Sequence, residues 1–157
     1  MLRITRILAP TDLSELSKDG VHAALDLARS HGATVTIYNV LEFERAHSSS
    51  PELEQHSLAQ LMERKKILAQ FVDENLSDAA IGLEVFEYVE AGAEYKKIID
   101  RARRENSDLI VITTHGKTGL LDALIGSVAE LVIRLAPCPV LSVHPAMRQQ
   151  NVEPKAA

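Results

Sequence analysis

Tryptophan is absent from the 157-residue chain, which has only three tyrosines and three phenylalanines. The core must therefore be aliphatic, and an aromatic platform for stacking single-stranded nucleic acid is excluded. There is one cysteine, Cys138, so an intramolecular disulfide and any multi-cysteine metal site are excluded as well. It stands between Pro137 and Pro139 at the start of an apolar run, which reads as a buried structural thiol rather than a nucleophile. Basic residues number 17 against 22 acidic ones, a formal charge of −5, which argues against broad DNA or RNA binding. No apolar stretch approaches the roughly 20 residues that span a bilayer. The first ten residues are interrupted by Arg3 and Arg6 and lack the apolar stretch of a signal peptide. A cytoplasmic protein with no membrane partner is the expectation.

The composition that remains, 46% apolar and 25% charged, is that of one soluble globular domain. Its periodicities alternate. Ile4 to Ala9 is a β-branched and aliphatic run stopped by Pro10. Val21, Ala24, Leu25 and Ala28 then fall on one helical face, closed by His31-Gly32. Thr34 to Val40 reads as a second strand. Leu41 to Pro51 has no period and contains Ser48-Ser49-Ser50, the pattern of a mobile loop. Pro51 opens a long helix to about Asn75, with Leu58, Leu61, Met62, Leu68, Ala69 and Val72 as its apolar stripe. Leu83, Val85, Tyr88 and Val89 mark a third strand, and Tyr95, Ile98, Ile99 and Ala102 a third helix. Leu109 to Thr113 is apolar enough for a strand covered on both faces. Val128, Leu131, Val132 and Leu135 supply the last helix, and Val140 to Val143 the last strand. From about Ala146 onward the chain is polar and tail-like. Five strands alternating with four helices predict an open, doubly wound parallel α/β sheet with helices on both faces.

Such sheets bind ligands beyond the carboxyl ends of strands, where strand order reverses. Two strand ends carry suitable chemistry. Pro10-Thr11-Asp12 follows the first strand. Thr113-Thr114-His115-Gly116-Lys117-Thr118-Gly119 follows the fourth, with Gly126-Ser127 at the start of the last helix. Glycine lets backbone N–H groups approach a phosphate, and a helix N-terminus presents free donors and positive dipole. Other motifs fail. Gly116-Lys117-Thr118 matches the close of a Walker A loop, but its opening glycine would fall on Val111, inside a strand. No G-x-G-x-x-G follows the first strand, and there is no G-x-S-x-G nucleophile elbow. The six histidines lack metal-ligand spacing. Arg101, Arg103 and Arg104 lie among Asp100, Glu105 and Asp108, the pattern of a solvated helix face.

Together, Ile7 to Asp12, Thr114 to Gly119, Gly126 to Glu130 and the Ala-Pro-Cys-Pro-Val run from Ala136 resemble a universal stress protein domain. The resemblance covers residues 1–145 and leaves 146–157 as a tail. It implies the Rossmann-like, adenine nucleotide alpha hydrolase-like fold, with strand order 3-2-1-4-5. The family's ATP-binding branch has the pattern G-x2-G-x9-G-[ST]. Here the second glycine is Gly116, and Lys117 to Ile125 separate it from Gly126-Ser127. The first glycine position is Thr113, a departure that sets a β-branched side chain where glycine allows positive φ and close approach.

Carried over, the resemblance implies that Val40 offers backbone to an adenine edge. Pro10, Thr11 and Asp12 would lie along the nucleotide, with Asp12 near ribose or a phosphate-bound Mg²⁺. Thr113, Thr114, His115, Gly116, Lys117, Thr118 and Gly119 would wrap ribose and phosphates, and Gly126, Ser127 and Val128 would receive the phosphate tail. It also implies a homodimer through Val140 to Val143, an apolar edge that is hazardous unpaired. The implied function is an ATP-binding, homodimeric stress-response sensor or switch. The alternatives are a nucleotide-free interaction module, which Thr113 favours, and a slow ATPase or self-phosphorylating protein with Ser127 or a nearby threonine as acceptor.

Overall fold

The computed structural model describes residues 3–42, 51–114 and 125–144, the side chains of 51–56 excepted. Strands and helices alternate as β1 (Arg6–Pro10), α1 (Glu15–His31), β2 (Thr34–Leu41), α2 (Pro51–Ala80), β3 (Val85–Ala91), α3 (Glu94–Glu105), β4 (Leu109–Thr113), α4 (Ser127–Leu135) and β5 (Val140–Val143). The five strands form one parallel sheet in the order β3-β2-β1-β4-β5. Strand order therefore reverses between β1 and β4, as expected. The expected loop before Pro51, the His115 to Gly119 segment and the tail beyond Ala146 lie outside the described residues, apart from Leu41 and Glu42.

Alternation along the strands builds two apolar layers. Ile7, Ala9, Val35, Ile37, Leu109 and Val111 face α1 and α2, where Val21, Leu25, Leu68 and Leu76 meet them. Leu8, Tyr38, Val40, Ile110 and Ile112 face the other way, onto Ile98 and Ala102 of α3 and Ala129 and Val132 of α4. All five residues of β4 are buried, so its continuous apolar run is that of a strand covered on both faces. At the sheet's amino end the Asp108 carboxylate accepts from Thr5 N at 2.9 Å, Thr5 Oγ1 at 2.7 Å and Arg6 N at 3.0 Å. These bonds tie the start of β1 to the start of β4, and those to Thr5 above all hold the carboxyl below its ordinary pKa.

Four local expectations are corrected. The long helix runs past Asn75 to Ala80, because Leu76 is fully buried and Ala79 packs on the same core. Arg29 of α1 then donates to the carbonyls of Ala79 and Ile81, meeting acceptors that the helix end leaves open. The buried stripe of α2 is also different. Leu58, Met62 and Ala69 are exposed, while Leu68, Phe71, Val72 and Leu76 are buried. Only one narrow face of that helix meets the sheet. Leu83 precedes β3 rather than belonging to it, and Cys138 is half-buried rather than fully buried. Burial, with Asp108 nearby, still pushes the Cys138 thiol above its ordinary pKa, the reverse of nucleophile activation.

A fifth correction concerns Arg101, which does not lie on a solvated face. Its side chain is only 12% exposed and reaches Glu90 at 3.2 Å and Glu105 at 2.5 Å. Arg104 adds bonds of 2.6 and 2.8 Å to the two Glu90 oxygens. Burial works against the Glu90 charge, but Arg104, Lys97 and Arg101 outweigh it and lower its pKa. The Arg101 guanidinium also covers the Tyr88 ring and approaches that of Tyr38.

Candidate functional site

The β1–α1 connection is held in one shape by its own polar groups. Thr11 N donates to the Tyr38 carbonyl at 2.9 Å, and Asn39 Nδ2 donates to the Thr11 carbonyl at 2.8 Å. The Thr11 and Ser17 hydroxyls are 2.8 Å apart. Leu13 adopts φ +65°, a left-handed conformation that costs a non-glycine residue roughly 1–2 kcal/mol. That turn lets Asp12 Oδ1 accept from both Ser14 N and Ser14 Oγ. Ser14 in turn caps α1 by accepting from Ser17 N. Asp12 is thus fixed at the carboxyl end of β1, beside the reversal.

The opposite wall is built by β4 and α4. Thr113 ends β4 opposite Val143 in the ladder, and its φ is not positive. The conformation that would disfavour a β-branched residue is not required of it. A Cβ placed on Gly20, in the interior of α1, would stand 3.0 Å from Thr113 Cγ2 and 3.2 Å from its backbone nitrogen. The Thr113 methyl is therefore seated against α1, in space that glycine leaves open. Thr114 N continues the ladder to the Val143 carbonyl at 3.1 Å, and the Thr114 carbonyl accepts from Gly126 N at 2.7 Å. Gly126 is the N-cap of α4 and supplies no capping side chain, so no side chain of its own occupies the start of that helix.

Between these walls lies a cleft of about 290 Å³, near the lower end of the roughly 300–1,000 Å³ usual for ligand pockets. Pro10, Thr11, Asp12, Val40, Thr113, Thr114, Gly126, Ser127 and Val128 all line it. Every expected site residue within the described part of the chain is thus in one place, while His115, Gly116, Lys117, Thr118 and Gly119 are not described. Sequence reasoning missed Ser17, Tyr38, Glu42, Glu94, Ile98, Ile112 and Ala129, which line the same cleft. Tyr38 and Glu42 share the face of β2 that bears Val40, and Ile98 follows Glu94 by one helical turn. Those spacings were legible, but the approach of α3 to β2 was not.

The cleft has two chemically different sides. Tyr38, Val40 and Ile98 make an apolar wall under β2 and α3, with the carboxylates of Glu42 and Glu94. Burial and then the Glu90 carboxylate raise the Tyr38 phenol well above its ordinary pKa, so it remains neutral. Across the end of β1, the α4 N-terminus presents backbone N–H groups and the Ser127 hydroxyl. A ligand that is flat and apolar at one end and anionic at the other matches this arrangement. No group of three or more carboxylate, histidine or cysteine side chains suited to a metal occurs among the described residues. No helix among them is long and apolar enough to cross a membrane.

Fold and cleft define an open, doubly wound α/β domain with a cleft at its strand-order reversal, where such sheets bind ligands. The chain belongs to the universal stress protein family, whose model matches residues 3–144. It is 30% identical over 138 residues to universal stress protein MJ0531 of Methanocaldococcus jannaschii, covering 88% of this chain and 81% of that one. The solved structure of MJ0577, a universal stress protein of the same organism, superposes with a TM-score of 0.75 at 30% identity. That match covers 90% of this chain and 96% of the other. A universal stress protein solved in complex with cAMP has a TM-score of 0.67 at 22% identity, over 91% of this chain and 99% of that one. It is a likeness of fold.

Proposed function

We propose that this protein binds ATP in the cleft and acts as a cytoplasmic, homodimeric stress-response sensor or switch. The observation that carries the reading is the start of α4. Gly126 opens that helix without a capping side chain, against the Thr114 carbonyl and facing Asp12 across the strand-order reversal.

The residues present fit the ligand. A Cβ on Gly126 would stand 3.2 Å from the Thr114 oxygen, a tight contact, so the close approach there favours glycine. The apolar wall of Val40 and Ile98 suits a purine face. The N–H groups of Ser127 and Val128 and the Ser127 hydroxyl suit phosphate oxygens, which accept from such donors, while the Gly126 N–H is held by the Thr114 carbonyl. Thr113 keeps strand geometry with its methyl turned to Gly20, so the motif's missing first glycine is not an obstacle. Mg²⁺ would accompany the triphosphate, held largely by phosphate oxygens and water, with Asp12 as the nearby carboxylate. In the related protein solved with cAMP, an adenine nucleotide occupies this fold.

The dimer reading rests on β5. Among the described residues it pairs only with β4, and Leu141 on it is exposed. A switch would follow if nucleotide ordered the chain around the cleft and so altered the surface offered to a partner.

Titration calorimetry of nucleotide-free protein with ATP and Mg²⁺ tests the reading. One site per chain with micromolar affinity is expected. Absence of heat at millimolar ATP, together with no adenine nucleotide in protein as purified, would overturn it in favour of a nucleotide-free interaction module.

A further inference from the structure

Gly20 is an anomaly by helix chemistry. It lies inside α1 and is buried, at a site where glycine is less favourable than alanine. The structure gives the reason. On one side of the missing side chain are Thr113 Cγ2 at 3.0 Å, Thr113 N at 3.2 Å and the Ile112 carbonyl carbon at 3.6 Å. Two of these three atoms are backbone of β4. A methyl group there presses first on the Thr113 side chain, so the end of β4 must give by a few tenths of an ångström unless that side chain is removed.

The strand end is coupled directly to the cleft. The residue after Thr113 is Thr114, whose carbonyl receives the Gly126 amide at 2.7 Å. Movement of Thr113 away from α1 therefore moves the acceptor that seats the first residue of α4. A Cβ on Gly126 would stand only 3.2 Å from that same oxygen, so the seat is close on both sides.

We infer that Gly20 is a positioning residue for the nucleotide site: its missing side chain receives Thr113, and so sets the α4 N-terminus at the distance that phosphate needs. This rests on the ATP reading above and explains how a chain with threonine at the motif's first glycine keeps the site. The side chain absent from α1 compensates for the one present on β4. Gly20 itself is not among the residues that line the cleft.

The test is a two-residue cycle of Gly20→Ala, Thr113→Gly and the double variant, read by ATP affinity and by hydrogen exchange of the Gly126 amide. Gly20→Ala alone is expected to weaken ATP at least ten-fold and to speed Gly126 exchange at least ten-fold. Thr113→Gly serves as the baseline for the double variant, because Thr113 itself lines the cleft. The double variant should bind ATP and exchange the Gly126 amide within about three-fold of Thr113→Gly, because the added methyl then finds the space that the Thr113 side chain vacated. Helix propensity alone predicts the opposite sign for Gly20→Ala, a stabler protein with unchanged affinity, and that result would overturn the inference. So would a double variant as weak as Gly20→Ala. If the unaltered protein binds no ATP, the functional reading fails by itself. The exchange arm then still decides whether Gly20 seats the β4 end.

Discussion

The Arg101 guanidinium lies over the Tyr88 ring, its central carbon 3.6 Å from the ring centroid. Tyr88 is on β3 at the sheet edge and Arg101 is on α3, so the stack fastens a helix to an edge strand. The same guanidinium pairs with Glu90 and Glu105. Arg101→Ala removes the stack and two ionic partners from a mostly covered group, and is expected to cost about 2 kcal/mol of stability. Arg101→Lys should recover less than half, because an ammonium cannot stack and fork at once. Urea unfolding of the three proteins reads this.

Gly126→Val puts a branched side chain against the Thr114 oxygen. The bond seating α4 should lengthen, and ATP should bind at least about ten-fold more weakly, or about 1.4 kcal/mol. The thermal midpoint should fall by no more than about 5 °C, since a few-degree shift corresponds to about 1 kcal/mol in a domain of this size. Calorimetry and a melting curve separate the two effects.

The Asp108 carboxylate predicts a pH dependence with a definite sign. Its folded pKa is lowered, chiefly by the Thr5 bonds, so the charged form is favoured in the folded state. The stability it contributes is present above the unfolded pKa, about 3.9, and is lost as pH falls through the lower folded value. Asp108→Asn should therefore be about 1–2 kcal/mol less stable at pH 7. The gap between the two proteins should close as pH falls below the unfolded value. Urea midpoints measured at pH 7 and at successively lower pH check it.

Leu141 tests the assembly. It is exposed on β5, whose outer edge has no strand partner among the described residues. Leu141→Glu should convert a dimer of roughly twice the 17.2 kDa chain mass into a monomer at micromolar concentration. A charge on an edge strand opposes pairing with a second sheet. Sedimentation equilibrium reads the mass directly. A monomer before substitution would remove strand pairing from the functional reading.

Much of the architecture was legible because short apolar runs and turn residues act locally. Leu109 to Thr113 and Val140 to Val143 were bounded as the structure has them. Arg101 was not legible. Its acidic neighbours in sequence suggest a wet helix face, whereas its partners Tyr88 and Glu90 come from another element. For α2, spacing alone could not tell which of several apolar rows meets the sheet, so exposed Leu58 and Met62 were assigned to the stripe. In the cleft, glycine spacing located the β4 and α4 wall. The Tyr38, Glu94 and Ile98 wall has no local signal, because it arises only when α3 folds back over β2. Thr113 could be recognised as a departure from the family pattern, but its compensation by Gly20 spans 93 positions and needs coordinates to be seen.

The position of β1 has a consequence for synthesis. It is the first strand made, yet it lies at the centre, with β2 on one side and β4 on the other. While the ribosome is still extending the chain, β1, β2 and β3 can already assemble into half a sheet, with one flank of β1 exposed. That flank stays open until residues Leu109 and Ile110 arrive to cover Ile7 and Leu8. The cleft follows later still, when Gly126 reaches Thr114. A nascent or prematurely terminated chain thus has an adhesive central strand and no cleft. Ligand can protect only a molecule whose translation has passed α4.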